Sequence, residues 1–97
     1  MAHQAILTWA APDDASLTAT YNVYRASGLC PASGLGTLAF SKIANTSALT
    51  YTDASVKVGG QYCYYGTHVE GTVESVPGNT AGGTVTPHGI TIQLVVS

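Results

Sequence analysis

The chain carries too little charge to solvate a helix. Two Lys, one Arg, three Asp and two Glu are spread over 97 residues, so 8% of the chain is charged, against roughly 25% in an ordinary soluble domain. An exposed helix face needs Lys, Glu, Gln or Arg at three- and four-residue spacing. Thr, Ser, Ala and Gly stand in their place here, and strands joined by turns are what remain. Six Tyr, one Trp and a 45% hydrophobic fraction supply a core and exclude disorder. The length predicts a single domain over residues 1–97. A net charge of −2 with three basic residues excludes an electrostatic grip on nucleic acid or on an anionic membrane surface.

Alternation with period two recurs along the chain. Ala5, Leu7 and Trp9 alternate with Ile6 and Thr8 before Ala11-Pro12-Asp13-Asp14 breaks the run. Tyr21, Val23 and Arg25 alternate with Asn22 and Tyr24, and a Gly/Pro/Ser-rich loop from Ser27 to Gly36 follows. Shorter extended runs are expected over Ala39–Ala44, Leu49–Thr52 and Thr84–Thr86, and a long aromatic strand over Gln61–Val69. In the last segment Ile90, Ile92, Leu94 and Val96 share one face. Short strands with turn signals every 8–12 residues describe an all-β sandwich.

No basic and apolar leader opens the sequence, so no signal peptide is expected in this chain. No apolar run approaches the ~20 residues of a membrane span, so membrane insertion is not expected. Cys30 and Cys63 allow a disulfide worth roughly 3–4 kcal/mol in the chain-entropy model; two separate buried thiols are the other reading. They cannot form a structural zinc site alone. With a disulfide, the expected location is extracellular or a virion: an excised piece of a secreted protein, or a particle component released by lysis.

In order along the chain, six short motifs resemble a fibronectin type III domain, in the variant common in bacterial extracellular proteins and phage virions. Ile6-Leu7-Thr8-Trp9 is similar to that family's second strand with its core Trp, and Tyr21-Asn22-Val23-Tyr24-Arg25 to its third. Lys42-Ile43-Ala44 looks like the next strand, and Thr50-Tyr51-Thr52-Asp53 with Val56 and Gly59 like the approach to the sixth. Tyr62-Cys63-Tyr64 stands where the family has its tyrosine corner, and Glu74-Ser75 with Asn79-Thr80 matches the entry to the last strand. The match spans about residues 4–87. It implies an immunoglobulin-like sandwich lacking the family's first strand and carrying an extra strand in 88–97. It also implies that Cys30, in the loop after the third strand, meets Cys63 on the neighbouring sixth. Gly66 and His68 depart from the pattern, since inward Val and Ala are usual there.

Catalysis is not expected. Asp13, Asp14, Asp53, Glu70 and Glu74 fall in loops or at strand ends on this reading, and a glycosidase needs two carboxyls facing across a groove. His68 reads as a partly buried residue whose volume fills the space left by Gly66, rather than a metal ligand. His3 and His88 are far from it in sequence. Asp13-Asp14 reads as a solvated turn, because calcium wants six or more oxygens from several segments. Asn45-Thr46-Ser47 is formally a glycosylation sequon and reads as a plain turn. No cofactor and no metal are expected.

Two surfaces stand out. The alternation puts Tyr24 and Tyr65 on one exposed face beside the Cys30–Cys63 loop, a candidate binding face for protein or sugar; the other reading has that loop cover the rings. The tail residues Ile90, Ile92, Leu94 and Val96 are a candidate assembly strand. A reversal after Pro87 would run the tail parallel to Ala5–Trp9, whereas the family's first strand is antiparallel there. Donation to a neighbouring subunit is therefore the expectation, with a hairpin on its own sheet or a crossing to its own Ala5–Trp9 strand as the intramolecular outcomes. The function expected is a structural or decorating module of a virion or other extracellular assembly, acting by protein–protein contact or self-assembly. The alternative is a carbohydrate-adhesion or spacer module of a secreted hydrolase or surface protein.

Overall fold

A computed structural model describes residues 4–12, 15, 18–31, 35, 36 and 38–96. Every regular element among them is a strand: β1 (Ala5–Thr8), β2 (Thr20–Ser27), β3 (Ser41–Thr46), β4 (Thr50–Asp53), β5 (Gln61–Glu70), β6 (Val73–Glu74), β7 (Ala81–Thr84) and β8 (Ile90–Gln93). They form two sheets. One has the order β4-β1-β8; the other runs β3-β2-β5, with β6 and β7 both paired to β5. The inward side chains of both sheets make one core: Ala5, Leu7, Trp9, Tyr21, Val23, Val56, Tyr64, Val85, Ile92, Leu94 and Val96. An all-β sandwich is therefore the architecture, with strand bounds within a few residues of those expected.

The long central pair sets the register. Tyr21, Val23 and Arg25 of β2 stand opposite His68, Gly66 and Tyr64 of β5 on the inner face, while Asn22, Tyr24 and Ala26 stand opposite Thr67, Tyr65 and Cys63 on the outer face. A one-residue slip would invert both sets. The last strand is interrupted. β6 pairs with Val69 and Glu70 and β7 with Gln61–Tyr64; between them Ser75 and Gly78 N–H still donate to the His68 and Gly66 carbonyls of β5, while Pro77 has no N–H to donate.

The tail takes one of the intramolecular outcomes, the crossing to its own first strand. β8 lies parallel to β1 of the same chain, with Ala5 opposite Ile90 and Leu7 opposite Ile92. Ile90 N–H donates to the Gln4 carbonyl and Leu94 N–H to the Thr8 carbonyl. Parallel pairing is only slightly weaker per residue than antiparallel, so strand direction is a poor reason to rank self-docking behind donation. Three glycines make the docking possible. Gly89 takes φ +88° in the Thr86–Gly89 turn that delivers the strand, a conformation side chains disfavour. Gly78 passes so close to the Val95 carbonyl that a Cβ would lie 1.7 Å from its oxygen. Gly66 leaves open the volume into which Val96 and Leu94 project, at 3.2 and 3.5 Å from where its Cβ would be. The tail, not His68, fills that space. His68 instead packs against Tyr21, with ring centroids 6.0 Å apart, and places Nε2 2.7 Å from Glu70 Oε2.

Candidate functional site

The outer face of the five-stranded sheet carries a group of aromatic and polar side chains that lie outside the core. Tyr24 and Tyr65, opposite one another on β2 and β5, stack with centroids 4.5 Å apart and planes 10° from parallel. Phe40 meets Tyr65 edge-on at 4.9 Å. Cys63, one step along β5, is disulfide-bonded to Cys30, which ties the segment after β2 across this end of the face. The two tyrosines thus share a face, but that face is not uniformly open. Tyr65 is 8% exposed and Cys63 is sealed, Phe40 packing on the ring and Cys30 on the sulfur. Tyr24 is half-buried and remains the accessible ring.

Beside Tyr24, three donors meet one carboxylate oxygen. Glu74 Oε2 accepts from Tyr24 Oη at 2.6 Å, from Asn22 Nδ2 at 3.1 Å and from the Thr67 hydroxyl. Asn22 and Thr67 are 6% and 1% exposed, so two buried polar groups find their partner in a surface carboxylate, as buried donors must. Asn45 Nδ2 continues the chain, donating to Asn22 Oδ1 and Thr20 Oγ1. The hydrogen bonds from Thr67, Tyr24 and Asn22, helped by the charge of Lys42, hold the Glu74 carboxyl below the usual glutamate range. Reciprocally, the bond to Glu74, with some burial, pushes the Tyr24 phenol up to about 12. The group is a fixed anion beside a fixed ring at neutral pH.

A second polar cluster spans the two sheets at the opposite side of the core. Asp53, buried at the end of β4, accepts from Arg25 at 2.8 Å, from Tyr64 Oη at 2.8 Å and from Ser55 Oγ at 2.7 Å. Burial pushes its carboxyl up, but the bonds from Ser55, Arg25 and Tyr64 outweigh that and keep it below the ordinary aspartate value. Burial and Asp53 together drive the Tyr64 phenol far above its usual range. Arg25 also lies over the Tyr62 ring at 5.5 Å. Each of these side chains is bonded within the cluster, which clamps sheet to sheet.

The other residues singled out by sequence do not converge. His3, Asp13 and Asp14 lie outside the described residues, and among the described residues no three His, Cys, Asp or Glu side chains come together as metal ligands would. The residues that sequence reasoning missed are Glu74 and Phe40. Glu74 counted there as a strand-end carboxylate; its position opposite Val69, one row from Thr67, was the signal that could have placed it on the aromatic face. A scan against protein-family models and searches of curated proteins and of solved structures found no match.

Proposed function

We propose that the protein is a fibronectin type III-like structural module of a virion or other extracellular assembly, working by protein–protein contact and without catalysis. The strand order, with β1 between β4 and an added strand and β2 beside β5, supports the immunoglobulin-like reading. The Cys30–Cys63 disulfide supports a compartment outside the reducing cytosol.

The observation that carries the contact reading is an apolar rim. Val73 and Val76 are 70% and 71% exposed, and Val95 is 55% exposed. The backbone of Gly78 against the Val95 carbonyl joins the segment carrying Val73 and Val76 to the tail. A charge-poor domain with large aliphatic side chains along one rim fits a surface that another protein covers. A second copy of the chain is the first partner to test. Light scattering across a hundredfold concentration range should show mass rising above the monomer, and Val76→Lys should suppress the rise while leaving the melting temperature unchanged. A chain that stays monomeric throughout, or association untouched by Val76→Lys, refutes this contact.

A further inference from the structure

We propose that the outer face of the five-stranded sheet holds a saccharide subsite, with Tyr24 as the stacking ring and Glu74, Asn45 and Lys42 as partners for the sugar hydroxyls. This surface adjoins the apolar rim at Glu74, which lies between Val73 and Val76, and the inference does not depend on what the rim contacts.

One side of the Tyr24 ring is taken by Tyr65. The other looks along the row toward Lys42, its neighbour on β3. Tyr24 is half-buried with its Tyr65 side covered, so the exposed part of its ring lies on the side of the flexible Lys42, where it can meet the apolar C–H face of a pyranose. The stacked pair also fixes the ring before any ligand arrives, which lowers the entropy lost on binding.

The carboxylate is fixed as well. An exposed Glu ordinarily samples several rotamers, yet three donors hold Glu74 by Oε2 alone. Its other oxygen, Oε1, takes none of these bonds and can accept from a sugar hydroxyl. Asn45, exposed and steered through its amide nitrogen by Asn22 and Thr20, offers a carbonyl acceptor in the next row. Lys42 offers a donor on the far side of Tyr24. Such a mix of one fixed ring, one acceptor anion, one amide and one donor cation matches vicinal hydroxyls, each of which both donates and accepts.

The charge balance selects a neutral polyol over an ionic ligand. Glu74 and Lys42 put one negative and one positive charge on this face, so a cationic side chain of a partner that meets the carboxylate also meets Lys42. An anion would face Glu74 itself.

The test is a backbone-amide NMR titration of the oxidised full chain with cellotetraose and with chitotetraose, β-linked oligomers whose equatorial hydroxyls leave an apolar ring face. A single stacked ring on an open sheet predicts millimolar affinity, so the titration runs to ~50 mM sugar. Saturable shifts are expected at Tyr24, Asn45, Tyr65 and Glu74. Tyr24→Ala should abolish them, and Tyr24→Leu, which keeps the bulk but not the ring, should do the same in a chain with wild-type dispersion. Glu74→Gln should weaken binding about tenfold, the scale of one charge-assisted hydrogen bond. Val95→Lys, at the tail end of the rim, should leave the shifts unchanged, which separates sugar binding from contacts made by the rim. The absence of saturable shifts with both sugars, shifts mapping elsewhere, or full binding by Tyr24→Leu would overturn the proposal. So would association between copies that buries Tyr24 and survives Val76→Lys.

Discussion

The docking of the tail onto its own domain can be tested through one contact, Leu94 over Gly66. Leu94 is 3% exposed, and a Cβ on Gly66 would lie 3.5 Å from its Cδ1. Leu94→Ala opens a cavity, and buried Leu→Ala changes cost about 2–5 kcal/mol. Leu94 N–H is held by the Thr8 carbonyl, but the chain leaves the ladder just after it and can close part of the cavity, so ~3 kcal/mol is the apt figure. At 4–8 °C per kcal/mol for a domain of this size, the melting temperature should fall by roughly 12–24 °C. Gly66→Ala alone should stay within about 1 kcal/mol of wild type, the tight contact being offset by the lower backbone entropy cost of Ala. In the double variant the new methyl occupies part of the volume Leu94 vacated. The two changes should therefore couple, with the pair about 1 kcal/mol less damaging than the sum. Urea unfolding of the four oxidised proteins by circular dichroism, at concentrations where each is monomeric, measures this directly. Additivity within ~0.5 kcal/mol, or a Leu94→Ala protein that melts with wild type, would refute self-docking of the tail.

Cys63→Ser removes a cross-link with a sequence separation of 33, which the chain-entropy relation values at ~4 kcal/mol; thermal unfolding should shift down by roughly 15–30 °C. Intact-mass measurement after alkylation without reductant should find no free thiol. Tyr65→Ala should cost about 3 kcal/mol because that ring is buried against Tyr24 and Phe40, whereas Tyr24→Ala should cost about 1 kcal/mol; equal losses in urea titrations would contradict the burial difference. Asp53 has a depressed carboxyl, so its contribution is fully present above its ordinary value of 3.8 and is lost as pH falls through the lower folded value. The urea midpoint should therefore drop with acidification below pH ~4, and Asp53→Asn should flatten most of that slope while lowering stability at neutral pH.

Period-two alternation was enough to assign inward and outward residues on β1, β2 and β5, because a buried face penalises every side chain of a slipped register at once. Ala5, Leu7, Trp9, Tyr21, Val23 and Tyr64 all entered the core as their spacing required. Alternation says nothing of what covers the second face of a sheet. Cys63, Tyr65 and Thr67 are outward on β5 and still buried, the first against Cys30, the second between Tyr24 and Phe40, and the third beneath Glu74. Those are long-range contacts, made by a loop and by a strand two residues long, and neither has a period to read. The same gap explains the tail. Its apolar face was legible in Ile90, Ile92, Leu94 and Val96, but its destination depended on a vacancy elsewhere. Gly66 looked like a departure from a family pattern when it was in fact the complement of Leu94 and Val96. A glycine on the inward face of a central strand thus marks the place where another segment must come in.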